Sequence, residues 1–178
     1  MTRKLVFSKP SGAPNGAVLP RHRVIKTGID STVGIGARTD IYEPVNIYGN
    51  VLIGPDCRIG PFVEIQDGVV IGASVSIGSH SFVCRGVTIK SRVFIGHGVM
   101  FTNAKHPVVA NKLGSLPTKG AWLCGETIVW DGVVIGSGAV ILPNITIGPG
   151  AVIGAGAVVT HNVQRGEVVI GNPSRVLS

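Results

Sequence analysis

One position in every six carries a large apolar side chain, and this period constrains the fold more than any other feature of the chain. Stepping by six from Ile29 gives Ile35, Ile41, Ile47, Ile53, Ile59, Ile65, Ile71, Ile77, Val83, Ile89, Ile95 and Phe101. Two residues before these stand Val33, Val45, Val51, Cys57, Val63, Val69, Val75, Val87, Val93 and Val99, and glycine follows at Gly36, Gly54, Gly60, Gly72, Gly78 and Gly96. The pattern stops and then resumes at Val129, Ile135, Ile141, Ile147, Ile153 and Val159, with Val133, Ala139, Ile145, Ala151 and Ala157 two before. The second run is out of phase with the first, so 102–128 is expected to be an insertion that leaves the repeat and rejoins it. Gly114, Pro117 and Gly120 suit a loop there.

A strand turns alternate side chains to opposite faces, so the aliphatic and the residue two before it point inward together. A turn of about two residues completes the six. Three such strands close a triangular coil, and coils stack about 4.8 Å apart as parallel sheets. The expected fold is therefore an all-β parallel β-helix over 29–178, preceded by an N-terminal arm or cap at 1–28. Each buried Ile contributes roughly 1.5–3 kcal/mol, so the inner column dominates stability. The period does not determine the hand of the coil, and parallel crossovers are ordinarily right-handed.

Composition narrows the function classes. The net charge of +7 suits an anionic ligand such as a phosphate-bearing cofactor or a nucleotide sugar. The longest basic run is Arg21-His22-Arg23 and no aromatic residues interleave with Lys and Arg, so no nucleic-acid partner is expected. No apolar stretch approaches the roughly 18 residues of a membrane span, and Leu5-Val6-Phe7 is too short for a signal peptide. A cytoplasmic protein without a membrane partner is the expectation. Cys57, Cys84 and Cys124 have no metal-like spacing, and no metal is expected.

Histidine is the usual general base near neutral pH. None of His22, His80, His97, His106 and His161 falls on an inward position of the repeat. His80 and His97 fall at one corner on successive coils, whereas Asn103 and His106 lie one face further along. His106 follows Phe101-Thr102-Asn103-Ala104-Lys105, where the repeat gives way to the insertion.

The [Ile/Val]-Gly-x-x-[Val/Ala]-x hexad resembles that of the hexapeptide-repeat acyltransferases, and the resemblance implies a left-handed coil. Residues 101–107, ending in His106-Pro107, look like the signature of the O-acetyltransferases of that superfamily, whose histidine deprotonates the acceptor. The longer stretch from Ser79-His80-Ser81 through Gly96-His97-Gly98 to Asn103 is similar to N-acetyltransferases acting on nucleotide-linked deoxyamino sugars. That branch usually has Asn-Asp where this chain has Asn103-Ala104.

The resemblance implies acetyl-CoA as acyl donor, a sugar acceptor and a homotrimer with sites between subunits. His106, His80 and Asn103 become the candidate catalytic residues, and His97 and Arg85 the candidate substrate contacts. The C-terminal segments Gly136–Pro143, Gly154–Thr160 and Gly171–Val176 resemble the CoA-binding end, with Gly138, Ala139, Gly156, Ala157, Thr160 and Arg175 as cofactor contacts. Two rival classes share the coil: a metalloenzyme of the γ-carbonic anhydrase type, whose His-x-x-x-x-His pair is absent here, and a scaffold without activity.

Overall fold

The computed structural model describes residues 28–105 and 124–177. These residues form three parallel sheets that wrap a single apolar column. The first sheet stacks Gly34–Ile35, Leu52–Ile53, Val70–Ile71, Val87–Ile89, Thr127–Val129 and Thr146–Ile147. The second stacks Asp40–Ile41, Arg58–Ile59, Ser76–Ile77, Phe94–Ile95, Val134–Ile135, Val152–Ile153 and Val168–Ile170, with Arg175–Val176 at its edge. The third holds Asn46–Ile47, Glu64–Ile65, Phe82–Val83, Met100–Phe101, Val140–Ile141 and Val158–Val159. The chain visits the sheets in turn, one strand at each, and so builds six full three-strand coils.

Register follows the six-residue period. Ile35 pairs with Ile53, Ile41 with Ile59 and Ile47 with Ile65, each eighteen positions on. Side chains from Ile47 to Val159 fill the column, and Ile59, Ile65, Ile95, Ile135 and Ile141 are fully buried. Cys57 lies in the same column, as its inward position predicts.

Most turns place one residue in the left-handed region of backbone space, three after the aliphatic. Asn50, Asp56, Phe62, Ser74, His80 and Arg92 hold it in the lower coils, then Gly98, Gly132, Gly138, Asn144, Gly150 and Gly156. The glycine directly after the aliphatic has a different cause. A Cβ on Gly54 would lie 2.6 Å from the backbone carbonyl carbon of Gly72 in the next coil, and one on Gly78 would meet Gly96 at 2.7 Å. Coil-on-coil stacking at the strand spacing leaves no room there for a side chain.

Two boundaries differ from the sequence expectation. Thr102 still donates its N–H to Ile141, and Thr127–Val129 is already paired with Val87–Ile89. The excursion is therefore shorter than 102–128 at both ends, and its residues 106–123 lie outside the described ones, as does nearly all of the expected arm at 1–28. The helix also ends before residue 178. Arg175–Val176 runs antiparallel to Val168–Ile170, because Gly171 takes a left-handed conformation (φ 90°) and turns the chain back.

Candidate active site at the corner between the second and third sheets

Residues eighteen apart, or forty across the insertion, stack at each corner. At the corner after the second sheet, one such column runs Phe62, His80, Gly98, Gly138 and Gly156. Its neighbour runs Pro61, Ser79, His97, Ser137 and Ala155. His80 and His97 therefore meet diagonally at this corner, as their spacing predicts.

The His80 imidazole lies flat on the Phe62 ring, with centroids 4.8 Å apart and planes 7° from parallel. Both residues are exposed, and both hold positive φ, 61° for His80 and 60° for Phe62. Such a conformation is uncommon for a bulky side chain and costs about 1–2 kcal/mol. Among the described residues neither ring nitrogen of His80 has a hydrogen-bond partner. A Cβ on Gly98, the next residue up the column, would meet nothing within 4 Å among the described residues apart from its chain neighbours.

His97 is held differently. Its Nδ1 receives the Ser79 backbone N–H at 3.1 Å and lies 2.8 Å from the Ser79 hydroxyl. The His97 N–H in turn donates to the Ser137 hydroxyl at 3.1 Å. The same device recurs at another corner, where the Ala73 N–H donates to the Ser91 hydroxyl at 3.1 Å. A polar side chain from the coil above thus satisfies a turn N–H of the coil below. Just inside the turn, the buried Ser81 hydroxyl donates to the Gly96 carbonyl and accepts from the Val99 N–H.

The remaining sequence candidates divide between corners. Gly138 and Gly156 are exposed directly above His80 and Gly98, whereas the Ala139 and Ala157 side chains face the core with no exposure. Those two alanines therefore offer a cofactor no surface, and their backbone groups are already paired within the coils. Asn103, Arg85 and Thr160 stand at the next corner, after the third sheet. There the Asn103 carbonyl accepts from the Gly125 N–H at 3.3 Å. Arg85 forks onto both Asp67 oxygens, with Nε at 3.1 Å from one, and its backbone N–H donates to Gln66. Thr160 shares a 2.8 Å hydrogen bond with His161. Arg175 is exposed on the final antiparallel strand, and His106 lies outside the described residues. Within one chain, then, Asn103 does not join His80 and His97.

Phe62, Ser79 and Ser137 belong to the site and were not among the sequence candidates. Stepping one coil from each histidine would have found them. Below the corner, the Asp40, Arg58 and Ser76 side chains on the second sheet form a shallow polar hollow with Arg38 and Asp56. Arg38 and Asp56 pair across coils at 2.6 Å. Each perturbs the other: the hydrogen bond raises the guanidinium further and holds the Asp56 carboxyl below its ordinary value.

Comparison with known proteins finds the same repeat and the same fold elsewhere. The family model described as bacterial transferase hexapeptide (six repeats) matches residues 50–85 and 127–161. No curated protein matches the sequence significantly. Among solved structures, a point mutant of AntD, an N-acyltransferase from Bacillus cereus in complex with dTDP and coenzyme A, is 23% identical. The match covers 82% of each chain with a TM-score of 0.70. The polySia-specific acetyltransferase NeuO is 22% identical over 82% of this chain and 81% of its own, with a TM-score of 0.59. The hexapeptide-repeat acetyltransferase VCA0836 from Vibrio cholerae is 26% identical over 82% and 72%, with a TM-score of 0.55. The protein is a parallel β-helix built on a six-residue repeat, the fold of these acyltransferase structures. The fold is consistent with the left hand implied by the sequence resemblance, against the ordinary preference for right-handed crossovers.

Proposed function

We propose that the protein is an acyltransferase that moves an acetyl group from acetyl-CoA to a sugar, most specifically to the amino group of a nucleotide-linked deoxyamino sugar. The observation that carries this reading is the corner where an exposed imidazole, His80, without a hydrogen-bond partner among the described residues, sits beneath the open backbone of Gly98, Gly138 and Gly156. The fold is shared with an N-acyltransferase that holds coenzyme A and dTDP together, which supports both substrate classes.

In this reading the pantetheine arm lies along the Gly138 and Gly156 turns, where the absence of side chains lets it approach backbone N–H groups. Arg175 pairs with the phosphates of CoA. His80 takes the proton from the acceptor as it attacks the thioester carbonyl, a role that typically contributes ~10²–10⁴-fold. Asn103 belongs to a neighbouring corner, so a homotrimer with its sites between subunits is the arrangement that brings it to His80, and His106 would enter the same shared site. A hydroxyl acceptor is the second reading, favoured by the His106-Pro107 segment.

The test is thermal stabilisation by acetyl-CoA, free CoA and nucleotide-linked amino sugars. A ligand at 100 times its Kd adds about 2.7 kcal/mol, which is readily seen as a rise in Tm. A rise with CoA species is expected, followed by acetyl transfer that falls by at least about a hundredfold in His80→Ala. No rise with any CoA species would overturn the transferase reading.

A further inference from the structure

His97 sits beside His80 with the same side chain, yet the two are held in opposite ways. A backbone N–H can only donate, so the 3.1 Å bond from the Ser79 N–H requires a lone pair on His97 Nδ1. In the neutral ring the proton must then reside on Nε2. We infer that His97 is locked as the Nε2–H tautomer and acts as a hydrogen-bond donor to the carbonyl oxygen of the transferred acyl group, not as a base. The inference rests on the transferase reading above and assigns a role within that site.

Two observations go beyond the bare tautomer. The cap on the Ser79 N–H does not need an imidazole, because Ser91 supplies the same cap at another corner and Ser137 supplies it one coil higher. What the imidazole adds over serine is a second nitrogen carried beyond the turn, on an exposed residue. Its direction is fixed from both ends, since His97 is anchored through its ring to Ser79 and through its backbone N–H to Ser137. His97 also stands one coil below the exposed turn Ser137-Gly138, at the reacting end of an arm laid along Gly156 and Gly138.

The chemistry balances without a proton moving through His97. The acceptor lone pair forms a bond to the thioester carbon, and the C=O π pair moves onto oxygen. That oxyanion is what the Nε2–H stabilises. Collapse re-forms the C=O bond and breaks the C–S bond, and the CoA thiolate leaves. The acceptor's proton departs on the separate base, His80. A fixed donor aimed at developing charge is worth more than one that must reorient.

Two amide substitutions separate the cap from the donor. In His97→Asn the side-chain carbonyl can occupy the Nδ1 position and keep the Ser79 cap, while the outer donor is lost. In His97→Gln an amide N–H reaches the Nε2 position at the expense of the cap. The expected result is a wild-type Tm for the Asn variant, with kcat lowered about 10²–10³-fold and little change in KM for acetyl-CoA. The Gln variant should show a lowered Tm and a kcat well above that of the Asn variant. Wild-type kcat in the Asn variant, or no rescue by Gln, would overturn the donor role.

The tautomer is read without any turnover, from long-range ¹H–¹⁵N spectra of histidine-labelled protein in alkaline buffer, with His97 assigned by its disappearance in the Asn variant. An unprotonated Nδ1 and a protonated Nε2 are expected, and the reverse would overturn the inference at its first step. Wild-type protein that neither binds nor turns over acetyl-CoA would instead overturn the transferase reading, and the nitrogen shifts would still report the tautomer.

Discussion

Phe62 shows what the site demands of a single residue. A phenylalanine at φ 60° occupies a position that other turns give to glycine or to a polar residue, and its ring serves as the floor beneath His80. Strain at a bulky residue persists where something else gains from it. Phe62→Asn, which suits the left-handed region better, is expected to leave Tm unchanged or raise it by a few degrees while acetyl transfer falls about tenfold or more. Equal losses of Tm and activity would show that the stack serves only the fold.

Cys84 makes the opposite case, a reactive group made inert. Burial pushes its thiol up to about 12, with the nearby Cys124 adding to the shift. The folded state keeps the proton that the unfolded chain gives up above the ordinary value of 9.0. Stability from this group is therefore full below pH 9.0 and is lost as pH rises from 9.0 toward about 12. Wild-type protein should lose Tm relative to Cys84→Ala across that window. Native alkylation at pH 8 should modify the half-buried Cys124 while sparing Cys84 and Cys57, which are buried; rapid labelling of Cys84 would contradict its burial.

At the scale of the element, the six-residue period placed the strands because one aliphatic marks each strand and one inward column collects them all. The fine structure of the turn was less legible. Glycine serves two purposes in the hexad, close stacking directly after the aliphatic and a left-handed turn two residues later, and composition does not separate them. The distinction predicts different costs. Gly54→Ala drives a Cβ to 2.6 Å from the backbone of the next coil, and since backbone cannot rotate aside the coils must part, costing about 1–3 kcal/mol or more. Gly98→Ala meets open space and costs only the left-handed strain of about 1–2 kcal/mol, which Gly98→Asn should largely recover. Chemical denaturation of the three variants checks the order. The antiparallel strand at Arg175–Val176 was not foreseen, because a reversal after Gly171 leaves no periodic signal. His80 and His97 could be placed from their spacing alone, but the tautomer-fixing contacts of His97 depend on which side chain caps which N–H, and a sequence does not record that.

The whole molecule changes character along its axis. On the second sheet the outward side chains run Asp40, Arg58 and Ser76 in the lower coils, then Phe94, Val134 and Val152 in the upper ones. On the third they run Asn46 and Glu64, then Phe82, Met100, Val140 and Val158. Phe94 is 49% exposed, Met100 42% and Val134 39%, and they flank the corner that carries His97 from both sides. Packing against other copies through these upper faces would bury apolar surface at about 25 cal/mol per Å² and would set a neighbouring chain over the His80 and His97 corner. If the proposed trimer forms this way, Phe94→Asp places a charge in the contact while leaving the core column untouched. The variant should sediment as a smaller species, keep its β-sheet circular dichroism, and lose transfer activity in step with the loss of assembly. A variant that stays assembled and active would move the contact to the first sheet, where Ile35, Leu52 and Val70 are exposed. A dissociated but fully active variant would show that one chain's corner is complete in itself, with no need for Asn103 or His106 from a neighbour.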